Sequence, residues 1–192
     1  MATGVIILGY DLDADNWKEV VWGMPPYDLG RATLGLDVIW RENAAIALFG
    51  GGSTNGTETE GRFTVRYVQE HWGELRQFAN FRALRPSELE ERLARFRLIM
   101  DTDDHSLNTV QEMECAREIF LKRDVTRVVI VTSADHISRC LREAVGVFWG
   151  SNGKKRKTRV SLSGEASHTY YSEQGIDGVL VREKHDPATC LW

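Results

Sequence analysis

Residues 127–139 read RVVIVTSADHISR. The first five, RVVIV, form a β-branched apolar run of strand length. The run breaks at Thr132, Ser133, Ala134 and Asp135, and His136 and Arg139 open the segment that follows. A strand that ends in a polar turn and runs into a helix is half of a βαβ unit. Working outward, residues 4–8 (GVIIL) end at Gly9, and residues 44–49 (AAIALF) end at Gly50, Gly51 and Gly52; both read as buried strands running into loops. Between them, residues 29–43 carry Leu29, Ala32, Thr33, Leu36 and Ile39 or Trp40 at helical spacing, with Arg31, Asp37 and Arg41 interleaved. That is the pattern of an amphipathic helix. Residues 97–100 (RLIM) read as a third strand, and residues 106–122 as a helix with Val110, Met113, Ala116 or Arg117, and Phe120 along one side.

Strands alternating with helices of this length predict a mostly parallel sheet with helices on both faces, a three-layer Rossmann-like α/β architecture. Residues 57–97 fit the alternation least. They carry two helical patterns, 60–78 and 87–96, broken near Pro86, with Ser87 as N-cap and Glu90 at the capping-box position, and read as a helical insertion packed on the sheet. Residues 150–157 (GSNGKKRK) form a basic loop that includes Lys154 and Lys157, and residues 158–163 then alternate like a strand. No internal repeat or low-complexity tract divides the chain, so 1–192 is expected to be a single domain with a variable part from 150 onward.

A chain of 192 residues with 42% hydrophobic and 27% charged residues has globular composition. Folding at this length buries roughly 70% of the unfolded surface, enough for a core that needs neither disulfide nor structural metal. Twenty-four Lys and Arg against 28 Asp and Glu leave a net charge of −4, which argues against duplex nucleic acid as the main partner. Cys115, Cys140 and Cys190 are widely spaced and form no CxxC pair, so neither a disulfide scaffold nor a cysteine zinc site is expected. Cys115 and Cys140 fall on helical patterns and read as core. No apolar run approaches the roughly 20 residues of a membrane span, and the N-terminus lacks a signal-peptide pattern. The expectation is a cytoplasmic protein with no membrane partner.

In an open parallel sheet, ligands bind beyond the carboxyl ends of the strands, so the residues after each strand are the candidates. They are polar throughout: Gly9, Tyr10, Asp11 and Asp13 after the first, GGGSTNG (50–56) after the second, DTDDHSLN (101–108) after the third, and TSADH (132–136) after the fourth. The glycine loop allows backbone N–H groups to approach a phosphate or carboxylate, and Ser53 and Thr54 add hydroxyls. It is neither GxGxxG nor GxxxxGK[ST], and it also serves as a tight strand-to-helix turn. Glu58 either reaches the cleft or caps a helix. Asp103 and Asp104, followed by His105, Ser106, Asn108 and Thr109, supply a general base, oxygen ligands for a divalent cation, or helix caps. His136 and Arg139, three residues apart, converge on one anionic group, the imidazole as acid–base and the guanidinium as a two-point grip. Arg31, one turn into the first helix, is a second candidate cation, or a solvated charge.

The order of these motifs resembles the YdcF-like family, a bacterial group of unknown function that includes the SanA and ElyC envelope proteins. The resemblance covers residues 4–148: an apolar strand, Arg on the first helix, strand then Gly-Gly, an acidic-Ser-x-Asn-Thr segment, and Thr-Ser-x-x-His-x-x-Arg. It implies a Rossmann-like fold and pocket roles for Gly9, Arg31, Gly51, Gly52, Glu58, Ser106, Asn108, Thr109, Thr132, Ser133, His136 and Arg139. Where members continue Thr-x-Glu-Asn, this chain has Thr109, Val110, Gln111 and Glu112. One branch of the family is associated with S-adenosylmethionine binding.

Two functions follow as expectations. The first is an enzyme that binds an anionic, phosphate- or nucleotide-bearing small molecule at the strand ends and performs hydrolysis or group transfer. In it, Gly9, Asp11, Gly50, Gly51, Gly52, Ser53 and the two arginines hold the ligand, His136 is acid or base, and Asp103 or Asp104 orients water or binds a cation. The alternative is a protein that binds S-adenosylmethionine or a nucleoside, as a methyltransferase or without catalysis.

Overall fold

The computed structural model describes residues 2–54, 56–150 and 160–167. In chain order, strand β1 (Ala2–Ile7) is followed by helix α1 (Trp17–Val21), the short strands β2 (Gly23–Met24) and β3 (Asp28–Leu29), and helix α2 (Arg31–Arg41). Then come β4 (Ile46–Phe49), α3 (Glu60–Glu70), a 3₁₀ helix (Trp72–Gln77), α4 (Pro86–Ile99) and β5 (Met100–Thr102). Helix α5 (Thr109–Leu121), β6 (Val125–Ser133), α6 (Ile137–Val145) with a π-type turn (Gly146–Gly150), and β7 (Ser161–Ser167) complete the described chain. The basic run at 154–157, together with His168, Tyr170, Tyr171, His185 and Cys190, lies outside the described residues.

Among the described residues, five strands form one parallel sheet in the order β5-β4-β1-β6-β7. The chain builds outward from β1 through β4 to β5, then crosses back to place β6 on the other side of β1. Loops leaving β1 and β6 therefore part, and the crevice between them is the expected ligand position. Strand pairing holds the two ends level, with Ile7 opposite Phe49 on one side and Val131 on the other.

Alternation along the strands sends successive side chains to opposite faces. Val5, Ile7, Ala47, Phe49, Val129 and Val131 join Leu36 and Ile39 of α2, Val65 and Val68 of α3, and Phe96 of α4 in one core. Ile6, Leu8, Ile46, Leu48, Val128 and Ile130 join Met113, Ala116 and Phe120 of α5 and Cys140 and Ala144 of α6 in the other. The result is the three-layer Rossmann-like α/β architecture. Cys140 is core and Cys115 is partly buried against the second core; neither is in a disulfide. Val110, expected on the buried side of α5, faces outward at 39% exposure.

Several boundaries differ from the sequence reading. Residues 97–99 are helical, because Leu89, Leu93 and Phe96 keep a buried stripe at helical spacing and carry α4 to Ile99. The third strand is thus the three-residue edge strand β5. Helix α4 starts at Pro86, not Ser87: proline is favoured at the first helical position, and Glu88 accepts the Arg85 N–H at 2.7 Å. The helix expected over 60–78 ends at Glu70, and the chain tightens into the 3₁₀ helix that buries Trp72 and Leu75. Helix α1 and the β2–β3 hairpin had no expectation. Strand β7 continues to Ser167, past the end of the alternating pattern at 163. Among the described residues, no helix is long and apolar enough to cross a membrane.

Leu36 is fully buried between α2 and the sheet, whereas Leu98 is 83% exposed. Urea unfolding should show Leu36→Ala costing about 2–5 kcal/mol and Leu98→Ala within about 0.5 kcal/mol of wild type. Equal costs would contradict this placement of α2 and α4.

Candidate functional site

Gly9 follows β1 at the head of the crevice. Its N–H donates to Oε1 of Glu112 at 3.2 Å, and its carbonyl accepts from the Arg31 guanidinium. A Cβ on Gly9 would stand 2.4 Å from Oε2 of Glu60 and 2.8 Å from the Cα of Gly51, so no other residue fits. Gly51 has φ +99°, a left-handed conformation natural to glycine, and a Cβ there would lie 2.2 Å from the same Glu60 oxygen. The glycines thus make room for two helix-borne carboxyl groups.

Arg31 enters from the start of α2 and is fully buried. Besides Gly9, it bonds through Nε to Oγ of Ser133 at 2.8 Å, and its guanidinium lies 4.9 Å from the Tyr10 ring centroid. It therefore ties the ends of β1 and β6 together. At the end of β6, the His136 N–H bonds to the Ser133 carbonyl at 3.0 Å, and the His136 carbonyl accepts from Cys140, which seats the imidazole at the start of α6. His136 is 6% exposed, with Nε2 3.3 Å from Oγ1 of Thr109. Thr109 opens α5, capped by the Asn108 side chain, which accepts the Gln111 N–H at 3.1 Å.

These elements enclose a cleft of about 510 Å³. Of the residues expected from sequence, Gly9, Asp11, Gly51, Ser53, Ser106, Asn108, Thr109, His136 and Arg139 line it. Arg31, Gly50, Gly52, Glu58, Thr132, Ser133, Asp103 and Asp104 do not contribute to its lining. The chain matches no family model, no curated protein and no solved structure.

Several of the residues outside the lining have visible structural work. Asp103 accepts the N–H groups of His105 and Ser106, both at 3.0 Å, and so shapes the turn after β5. That turn is joined to the glycine loop by the Gly52 N–H, which donates to the Ser106 carbonyl at 2.7 Å. Asp104 takes a bidentate grip from Arg62, at 2.9 and 2.6 Å, and the Thr59 hydroxyl at 2.9 Å. Burial works against its ionisation, but these bonds hold the Asp104 carboxyl below its ordinary range. Glu58 pairs with Arg66 at 2.9 Å. The Thr132 hydroxyl is fully buried and has no hydrogen-bond partner among the described residues.

Sequence reasoning missed Glu60 and Glu112, which line the cleft at 8% and 7% exposure. The spacing of Thr109 and Glu112 was the available signal, since residues three apart share a helix face. Burial pushes the Glu112 carboxyl up to about 8, with the negative charges of Glu60 and Asp103 adding to it and the Gly9 N–H and Arg31 opposing. Cys115 is likewise pushed up, to about 12, by burial and by the Asp103 carboxylate, so it is no nucleophile at neutral pH. Asp13, Asp15 and Asn16 join Asp11 along the loop after β1. The cleft lining thus combines several acidic side chains with the cationic Arg139 from the first turn of α6. Among the described residues, no group of three or more His, Cys, Asp or Glu is placed to hold a metal ion.

The Glu112 shift fixes the sign of a pH effect. Its unfolded carboxyl titrates near 4.5 and its folded one near 8, so the native state holds the proton more tightly and stability is lost as pH rises through that window. Thermal melts from about pH 5 to about pH 8 should show a falling melting temperature that flattens in Glu112→Gln. Parallel curves for the two proteins would contradict a buried neutral Glu112.

Proposed function

We propose that this chain is a small-molecule enzyme that binds a phosphate- or nucleotide-bearing ligand in the cleft and performs hydrolysis or group transfer with His136 as acid–base. The observation that carries the reading is the convergence of His136, Arg139 and Thr109 on one cleft where the strand order reverses. Arg139 supplies two-point recognition of an anionic group, and the His136 imidazole, with Thr109 on Nε2, is positioned to exchange a proton beside it. Asp11, Asp13 and Asp15 in the same lining are suited to accept hydrogen bonds from the hydroxyls of a sugar or ribose. Membership of the YdcF-like family is part of this proposal, as is a cytoplasmic setting, which suits two cysteines outside any disulfide, Cys115 and Cys140.

The acidic lining favours a second reading. A sulfonium-bearing nucleoside such as S-adenosylmethionine brings positive charge to the carboxylates and a carboxylate of its own to Arg139. The cleft then serves methyl transfer or binding alone.

A thermal-shift screen with AMP, ADP, ribose phosphate, adenosine and S-adenosylmethionine separates the two. A ligand at about 100 times its Kd adds roughly 2.7 kcal/mol of stability. Stabilisation by the phosphate compounds in wild type and its loss in Arg139→Ala is the expected result. Stabilisation by S-adenosylmethionine or adenosine alone overturns the phosphate reading in favour of the second. Once a substrate is found, His136→Ala should lower kcat about 10²–10⁴-fold, and undiminished turnover removes His136 from the chemistry.

A further inference from the structure

The ring nitrogen Nε2 of His136 faces a hydroxyl of this chain. It lies 3.3 Å from Oγ1 of Thr109, and both side chains are more than nine-tenths buried in the lining of the cleft. Thr109 is the first residue of α5, and His136 precedes α6, so two separate strand-to-helix turns bring the pair together.

Helix capping does not account for the Thr109 hydroxyl. A hydroxyl at a helix start ordinarily accepts an N–H of the first turn. Here that task falls to Asn108, whose Oδ1 accepts the Gln111 N–H at 3.1 Å, while the Gln111 side chain accepts the Leu107 N–H at 2.8 Å. Nor can the proton of Oγ1 go to a carbonyl one turn back in the helix, because α5 begins with Thr109. Among the described residues, the hydrogen-bond partner of Oγ1 is Nε2 of His136. When Nε2 carries no proton, the Thr109 O–H donates to it, which is the pairing of a hydroxyl nucleophile with its general base. The surroundings favour negative charge on that oxygen. Oγ1 sits in the first turn of a helix of 13 residues, at the positive end of its dipole, and Arg139 lines the same cleft.

We propose that Thr109 is the nucleophile of a Thr109–His136 dyad and carries the transferred phosphoryl group as a covalent phosphothreonine. The phosphoryl group rests on the anion-binding reading above; the pairing of hydroxyl and imidazole does not. Oγ1 attacks phosphorus as its proton passes to Nε2, and the bond from phosphorus to the leaving oxygen breaks with its electron pair. That oxygen takes the proton from Nε2 and departs as a hydroxyl. Water next attacks the phosphothreonine and gives a proton to Nε2. The bond between phosphorus and Oγ1 breaks, Oγ1 regains the proton, and inorganic phosphate leaves. An alcohol in place of water makes the same sequence a group transfer.

The test needs no known substrate. A dyad that forms phosphothreonine from inorganic phosphate and hydrolyses it again exchanges phosphate oxygen with water, so phosphate labelled with ¹⁸O is the probe. Wild type should wash out the label, and Thr109→Ser should keep the exchange. Thr109→Val preserves the shape without the hydroxyl and should exchange about 10²-fold more slowly or less, while still binding phosphate by calorimetry. Peptide mapping after an acid quench should find phosphate at position 109 in wild type and in Thr109→Ser. Phosphate bound without exchange, exchange undiminished in Thr109→Val, or exchange with no phosphate at position 109 overturns the nucleophile and leaves the anion reading intact. A wild type that binds no phosphate overturns the anion reading, and the phosphothreonine with it.

Discussion

The peptide unit at Gly9 is held from both faces of the sheet, its N–H by Glu112 of α5 and its carbonyl by Arg31 of α2. Each of these charged or ionisable side chains is buried, a placement tolerated only when polar partners replace water. Gly9 supplies such partners, and Ser133 adds another for Arg31. The same arrangement fixes the mouth of the crevice. Arg31 spans from the end of β1 to the end of β6, so the two strands that part around the ligand position are bound to each other just where their loops diverge. The missing side chain at Gly9 also admits Glu60. Elements from both layers thus depend on one residue that has no side chain.

Much of the layer structure was legible because it is written in simple periods. The runs at 4–8, 44–49 and 128–131 are apolar, as strands buried on both faces must be, and all three lie in the middle of the sheet. Leu36 and Ile39, or Met113 and Phe120, keep helical spacing and are buried as that spacing requires. The misread elements lie at the margins. At Leu98–Met100 a short apolar run satisfies strand and helix patterns equally, and the helix prevailed because Leu89, Leu93 and Phe96 extend the buried stripe into it. Between Asp11 and Leu29 the elements are five residues or fewer, too short for any period to show.

The site was legible in its location and less so in its chemistry. Polar residues after apolar strands pointed to the edge of the sheet where the cleft lies, and His136 and Arg139 both line it. Asp103 and Asp104 were chosen because acidic residues in a loop resemble catalytic ones. Whether such a residue faces the cleft or its own turn depends on N–H groups two and three residues ahead, and on an Arg62 that lies 42 residues away in the chain. Glu60 and Glu112 were hidden for the converse reason. A glutamate in the first turn of a helix is usual at the surface, and only the tertiary approach of α3 and α5 to Gly9 buries these two.

The glycine loop shows how the same residues support a different physical account once neighbours are known. GGGSTNG suggested backbone amides aimed at an anion. In the folded chain the Gly50 N–H is spent on the Ile7 carbonyl at 2.8 Å and the Gly52 N–H on the Ser106 carbonyl, so these two amides serve the architecture. What the loop contributes is absent volume, into which Glu60 and Glu112 extend. The side chains that α5 and α6 bring to the cleft include Asn108, Thr109, Glu112, His136 and Arg139, and the loop after β1 brings Asp11, Asp13 and Asp15. With the backbone amides of Gly50 and Gly52 committed to the fold, the polarity of the cleft is set by side chains that come from different elements.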